Sequence, residues 1–265
     1  MVIDFHTHIF PDKLAPKAYE VLSINAKAAG YQPIHNLTKD GLVAKMDEHG
    51  VDISVVCPVA TKPTQSIKNL EWGVTINDER IISIAGLYPE KESWKQNVDT
   101  AISMGYKGIK LHPEYQNFIL DDEAMFPLYE HAFGKGLFIL FHAGYDPIGS
   151  EPFKSNPKKF LRLVEEFKGA KIIAAHFGGQ SQWDDVETYL AGKDIYLDTS
   201  MGFKYYGKDK FLSILAKHGA DKVLFGSDSP WSNTGEELDA LVELPLSKDD
   251  KDKILYKNAK VLLKI

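Results

Sequence analysis

The sequence is poor in several residue types on which functional sites are commonly built. One cysteine in 265 residues excludes a disulfide framework, a thiolate zinc site and an iron–sulfur cluster. There are only two arginines, Arg80 and Arg162. Neither falls at the end of an expected strand, so the planar, two-pronged donor that usually reads carboxylates is missing from the expected site. Positive charge is not in surplus. A net charge of −6 gives no electrostatic reason to expect nucleic acid or an anionic membrane as partner. No stretch approaches the ~20 apolar residues of a membrane span. A His-x-His at residues 6–8 leaves no room for a signal peptide, so the cytoplasm is the expected compartment. Against these shortages stand an ordinary globular composition, 44% hydrophobic and 26% charged, and nine histidines.

Short β-branched or apolar runs recur along the chain: Val2–Phe5, Ile53–Cys57, Ile82–Leu87, Gly108–Leu111, Leu137–Phe141, Lys171–Ala175, Ile195–Asp198 and Val223–Phe225. Helix-length amphipathic segments separate most of them, among them Leu42–Glu48, Lys95–Met104, Ala124–Ala132, Lys158–Phe167, Asp184–Leu190 and Lys210–Lys217. Several of these run into a terminating glycine, such as Gly50, Gly105 and Gly219. Alternating strands and helices imply a parallel sheet covered by helices, and eight units in this length fit an α/β fold of the (β/α)8 TIM-barrel type. An open doubly wound sheet would carry a glycine-rich turn after its first strand. Here that strand runs into His-Thr-His-Ile-Phe-Pro. With no repeat or linker, residues 1–265 read as one domain. A long loop excursion, about residues 10–36, follows strand 1, and Lys248–Leu263 reads as a C-terminal helix packed outside.

In such a barrel, catalytic groups sit at the C-terminal ends of the strands. His6 and His8 follow strand 1, His112 strand 4, His142 strand 5, His176 strand 6 and Asp228 strand 8. The other four histidines have plain structural explanations: His49 and His218 precede helix-ending glycines, His131 lies within a helix and His35 in the long loop. By strand alternation Asp4, His6 and His8 should all face the barrel interior. Two crowded imidazoles are poor core filler but a good chelate for a first-row metal. The same parity turns Lys110 inward with His112. A buried ammonium needs a partner, so Lys110 is paired with an interior carboxylate such as Asp4, or carbamylated as a bridging ligand, or substrate-facing. Asp228, in Gly226-Ser227-Asp228-Ser229-Pro230, could ligate a cation and accept a proton, or merely cap the following turn. Cys57 reads as an inert buried thiol.

These residues resemble the metal-dependent amidohydrolase superfamily, within it the amidohydrolase-related family that includes aminocarboxymuconate-semialdehyde decarboxylase. The likeness spans essentially the whole chain and rests on Ile3-Asp4-Phe5-His6-Thr7-His8, Gly108-Ile109-Lys110-Leu111-His112-Pro113, Phe141-His142-Ala143-Gly144, His176-Phe177-Gly178-Gly179, Gly226-Ser227-Asp228 and Asn258-Ala259. It implies one divalent metal, Zn2+ first among candidates, on His6, His8, His142 and Asp228, with Asp228 and His176 as the acid/base residues. Binuclear relatives would use Lys110 and His176 for a second metal, and two metals stay open. His112 joins Lys110 and His176 as a second-metal or substrate-facing residue. TatD-like nucleases share the first motif but carry a glutamate at the strand-4 position, and polymerase-and-histidinol-phosphatase-like enzymes share it but close with Asp-x-His rather than Asp-Ser-Pro.

The expected activity is hydrolysis of a small amide, lactone or ester by a metal-activated water. Non-oxidative decarboxylation or hydration is the alternative, and an inactive metal-binding barrel the non-enzymatic one. Scarcity of arginine tilts the choice toward hydrolysis, with Lys110, Lys62, Lys204 or a partner subunit as other sources of a cation. Phe10, Tyr88, Tyr115, Tyr145, Phe203 and Trp231 are candidates for an apolar pocket. The expected partner is a small-molecule substrate, with no nucleic acid, no membrane, and a homodimer admitted.

Overall fold

The apolar runs form nine short strand segments: β1 (Ile3–Thr7), β2 (Ile53–Val56), β3 (Ile81–Ser83), β4 (Ala85–Gly86), β5 (Gly108–Leu111), β6 (Phe138–Phe141), β7 (Ile172–Ala174), β8 (Tyr196–Asp198) and β9 (Val223–Leu224). The computed structural model describes residues 1–265. Every strand pairing is parallel, β1 to β3 and β4 to β9 each in sequence order. β3 and β4 are one stave parted at Ile84, whose N–H donates to the Val56 carbonyl at 3.0 Å. The ring closes between the last stave and the first. The Phe5 N–H donates to Phe225 O at 2.8 Å, Asp228 N–H to His6 O at 2.8 Å and His8 N–H to Ser229 O at 2.7 Å. This is the expected TIM barrel.

Twelve α-helical segments surround it: α1 (Ala15–Ala28), α2 (Lys39–His49), α3 (Ser66–Ile76), α4 (Trp94–Ser103), α5 (Pro113–Gln116), α6 (Phe126–Gly134), α7 (Pro157–Glu166), α8 (Trp183–Tyr189), α9 (Phe203–His218), α10 (Thr234–Val242), α11 (Lys248–Asp252) and α12 (Asn258–Leu263). None is long and apolar enough to cross a membrane. Two expectations need correction. The excursion after strand 1 is not irregular throughout, because α1 occupies its middle. Pro16 reads as a breaker in sequence, yet in the first turn it costs no hydrogen bond and starts the helix. The tail is not one regular helix either. A π turn at Lys253–Lys257 parts α11 from α12, and there the Ile254 carbonyl accepts the Phe225 N–H at 2.8 Å.

Two apolar layers follow from strand alternation. Ile109, Leu111, Ile139, Phe141, Ile172 and Leu197 point outward and pack on helix residues such as Leu128, Tyr129, Phe160 and Phe211. Inside the barrel lie Ile3, Phe5, Val55, Cys57, Phe138, Leu140, Ile173 and Leu224, closed at the base by Ala259, Leu262 and Leu263 of α12. Burial of this kind contributes about 25 cal/mol per Å2 of apolar surface removed from water. The polar groups are thereby confined to the opposite end.

Strand β1 departs from plain alternation. Ile3 and Phe5 belong to the interior layer, which by parity alone would send both Asp4 and His6 outward. The pairing of β1 with β2 slips in register between Asp4 and Thr7, and this resets the parity. His6 turns inward after Phe5. Asp4 does not share the face of His6, contrary to expectation: its carboxylate accepts the Ser227 N–H at 2.9 Å and the Ser227 hydroxyl at 2.5 Å. Gly226 leaves room beside this turn, since a Cβ there would lie 3.0 Å from that of His6.

Candidate active site

Five histidines and three aspartates converge at the C-terminal mouth. On the side of β1, β8 and β9, His8 Nε2 and His6 Nε2 lie 3.1 and 3.6 Å from Asp228 Oδ1. His6 Nδ1 is 3.0 Å from Asp198 Oδ2. The other Asp198 oxygen accepts from the His176 N–H at 3.0 Å, from the Ser200 N–H at 3.1 Å and from the Ser200 hydroxyl. With Nδ1–H committed to Asp198, the Nε2 lone pair of His6 faces the cavity, where Lys110 Nζ lies 2.9 Å away. A carboxylate behind a ligating imidazole commonly fixes the tautomer in this way.

On the side of β5, β6 and β7 the histidines meet one another. His176 Nε2 lies 3.0 Å from His142 Nδ1, and the His142 and His112 rings stack at 4.1 Å. His176 Nδ1 faces the Ser200 hydroxyl at 3.0 Å. His142 Nε2 points to the Tyr145 carbonyl at 3.2 Å. His112 Nδ1 accepts the Tyr115 N–H at 3.4 Å, and its Nε2 lies 3.6 Å from Asp146 Oδ2. Asp228 and His176 hold positive φ angles of 65° and 55°, conformations that are uncommon for residues other than glycine and recur at functional sites.

The electrostatics follow burial and neighbours. Burial pushes His6 down to about 4, helped by the nearby Lys110 ammonium. It depresses His112 and His142 well below the ordinary histidine value and lowers His176. Burial alone would raise Asp228, but the imidazoles of His6, His8 and His176 outweigh it and hold the carboxyl at about 2. Asp198 is likewise held well below the carboxylate range despite burial, chiefly by His6. Asp146 has no such compensation, and burial raises it to about 6.

The expected residues separate as follows. His6, His8 and Asp228 are brought together, their candidate ligand atoms within 4.8 Å of one another. His142 is not in that cluster; it reaches the mouth through His176. Asp228 does not cap the next helix, a task taken by Asn233. Lys110 is buried and inward, but its neighbour is His6 Nε2 at 2.9 Å rather than Asp4, and burial lowers its basicity. Tyr115 packs edge-on against His112 at 4.5 Å, and Tyr145 against Phe153 at 5.9 Å. Trp231 meets Tyr31 at 6.4 Å. The backbone N–H groups of Phe10 and Tyr88 donate to Leu37 O and to the Ser66 hydroxyl. Phe203 sits among Tyr206 and Phe211 in the outer core. Cys57 is buried, its thiol pushed up to about 12 by desolvation.

The four remaining histidines take no part in these contacts. His131 is 2.6 Å from Asp99, His35 Nδ1 accepts the Leu37 N–H at 3.0 Å, and His218 Nδ1 accepts the Gly192 N–H at 3.3 Å. His49 ends α2 ahead of a left-handed Gly50. Both arginines are committed elsewhere as well: Arg80 to Asp47 at 2.6 Å and Arg162 to Glu123 at 2.7 Å.

Sequence reasoning passed over Asp198, Ser200, Asp146 and Tyr31. The first had a legible signal, a carboxylate ending an expected strand. Tyr31 had none, since only the return of the excursion brings it against Trp231.

The donor set fits a borderline divalent cation. Imidazole nitrogens with a carboxylate oxygen suit zinc or manganese, and two further His/Asp groupings, His6–His176–Asp198 and His112–His142–Asp146, lie alongside. Among known proteins, the sequence profile described as amidohydrolase matches residues 3–265. The chain belongs to the amidohydrolase family. No curated protein matches this amidohydrolase in sequence. Solved structures share its fold at low identity. A TIM-barrel protein from Bordetella bronchiseptica is 19% identical, with 99% and 98% of the two chains covered and a TM-score of 0.78. A dihydroxybenzoic acid decarboxylase from Polaromonas sp. JS666, with manganese and 2-nitroresorcinol bound, is 16% identical over 99% and 96%, TM-score 0.75. A protein from Acinetobacter baumannii assigned as a 2-pyrone-4,6-dicarboxylic acid hydrolase, with citric acid bound, is 18% identical over 100% and 99%, TM-score 0.68. The amidohydrolase thus shares its barrel with both decarboxylases and a hydrolase.

Proposed function

We propose that this amidohydrolase hydrolyses a small, uncharged carbonyl compound with the help of one divalent cation, zinc in the first instance. His6, His8 and Asp228 would hold the cation; His142, expected as a fourth donor, faces His176 and the Tyr145 carbonyl instead. When bound, the cation supplies a Lewis acid that polarises the carbonyl and acidifies water. Asp228, ionised throughout the neutral range, accepts the proton that the attacking water loses. A C–O bond forms at the carbonyl carbon and the bond to the leaving nitrogen or oxygen breaks. The proton taken up by Asp228 passes by way of His176, held by Ser200, to that leaving atom, and both groups end as they began. Asp198 keeps His6 in the tautomer whose Nε2 faces the cavity.

The observation that carries hydrolysis over decarboxylation is the charge at the mouth. Asp146, Tyr31 and Tyr115 stand near Asp228, while both arginines are engaged at the surface. A polycarboxylated substrate would meet an acid there instead of a guanidinium fork. Decarboxylation is the second reading, supported by Lys110, a buried cationic side chain beside His6, and by the decarboxylases that share the fold. The test is a screen of the zinc- or manganese-loaded protein against lactones, N-acyl compounds and aromatic or enoic carboxylates. Turnover of the first two classes with uptake of water is expected. CO2 release without it overturns hydrolysis.

A further inference from the structure

Opposite the His6–His8–Asp228 cluster, His112 Nε2 and Asp146 Oδ2 stand 3.6 Å apart, too far for a good hydrogen bond to each other. Their remaining polar atoms are spoken for. Asp146 Oδ1 accepts the Ile148 N–H at 2.9 Å, and His112 Nδ1 accepts the Tyr115 N–H at 3.4 Å. Because Nδ1 accepts, it bears the lone pair, and the hydrogen of the neutral ring sits on Nε2. A donor, His112 Nε2–H, therefore stands beside an acceptor, Asp146 Oδ2, and neither has a hydrogen-bond partner within the protein. Both side chains are nearly buried, with about a tenth of their surface exposed (8% and 11%). The two atoms thus present a donor and an acceptor side by side to the mouth with no competing partner in the protein, and a ligand that offers the complementary pair can take both.

We infer that His112 and Asp146 form a recognition pair for the edge of a cyclic amide, His112 donating to its carbonyl oxygen and Asp146 accepting from its N–H. The inference rests on the hydrolase reading and narrows it, since a lactone or ester lacks the N–H and a carboxylate is repelled by Asp146. The same tautomer disfavours a second cation held by His112, His142 and Asp146. Metal ligation at Nε2 would require lone pairs on both ring nitrogens while the Tyr115 N–H is still received.

The test uses two isosteres, 2-pyridone, which offers N–H and C=O side by side, and 2-pyrone, which offers two acceptors. Binding to the zinc-loaded protein is followed by calorimetry. The wild type should bind 2-pyridone about tenfold or more tighter, as expected where a site built for a hydrogen-bonding group meets an analogue lacking it. In Asp146→Asn the Ile148 N–H holds Oδ1, so the amide nitrogen replaces Oδ2 and the acceptor becomes a donor. The preference should vanish or reverse. Equal affinity for both probes in the wild type, or an unchanged preference in Asp146→Asn, overturns the assignment. So does a zinc equivalent present in the wild type and lost in Asp146→Asn. If that variant does not fold, His112→Phe removes the opposite donor. It should weaken 2-pyridone by about tenfold, and unaltered binding there is equally fatal. Probe binding needs no turnover, so CO2 release in the substrate screen would sink hydrolysis without touching the probe order. Ester hydrolysis without a pyridone preference would sink the amide assignment alone.

Discussion

The two halves of the barrel mouth use the same residue, histidine, in opposite ways. Beside β1, β8 and β9, His6 and His8 each face a carboxylate, Asp198 and Asp228, within about 3 Å. Beside β5, β6 and β7, His112, His142 and His176 stack on or hydrogen-bond to one another and to backbone carbonyls. Negative charge behind an imidazole raises its value as a ligand and compensates a bound cation. The crowded imidazoles, with only Asp146 at 3.6 Å from His112 on their own side, are kept neutral mainly by burial. On the proposed function, the acid-backed half would hold the cation and the histidine-rich half would exchange hydrogen bonds and protons with the substrate.

The sharpest way to break this division is Asp228→Asn. It should lower kcat on the order of a thousandfold or more and weaken zinc retention, both through loss of the carboxylate; steady-state kinetics with metal analysis reads both. His176→Asn, on the other half, should cost about a hundred- to a thousandfold in kcat while the zinc content is kept. Loss of a metal equivalent would move His176 to the cation-holding half.

A third prediction concerns the cost of placing acids behind the site. Glu237 of α10 accepts from the Ser232 hydroxyl at 2.8 Å and the Phe203 N–H at 3.2 Å, and burial raises it to about 7. Between its unfolded value near 4.5 and about 7 the folded protein binds the extra proton, so stability falls as pH rises through this window. For Glu237→Gln that component, about 2 kcal/mol between pH 5 and 7, should disappear, and Tm should decline less over that range. A parallel decline in wild type and variant would count against it. Last, Asp198→Asn should weaken zinc affinity by about tenfold in competition with a chelator.

The barrel was legible because eight apolar runs with helical spacers leave few alternatives, and Gly108–Leu111 was placed to the residue. The five mouth histidines were legible because strand ends converge in this fold. Less legible was what depends on pairing across the ring. Nothing near Asp198 in sequence announces that it stands behind His6, 192 residues away. Asp4 was assigned to the wrong face because alternation assumes an unbroken strand, and α1 was hidden by a proline whose effect depends on its place in the turn. Lys110 was read inward correctly, but a partner 104 residues distant lies beyond any local pattern.

The slip of register in β1 bears on attempts to move this site elsewhere. A His-x-His copied onto a straight strand of another barrel would bring the preceding aspartate onto the chelating face. It would also leave the second-strand pairing one step out of phase with the carboxylate across the seam. The portable unit is thus not a hexapeptide. It is a strand with a misaligned neighbour and a serine on the closing turn to hold the displaced acid.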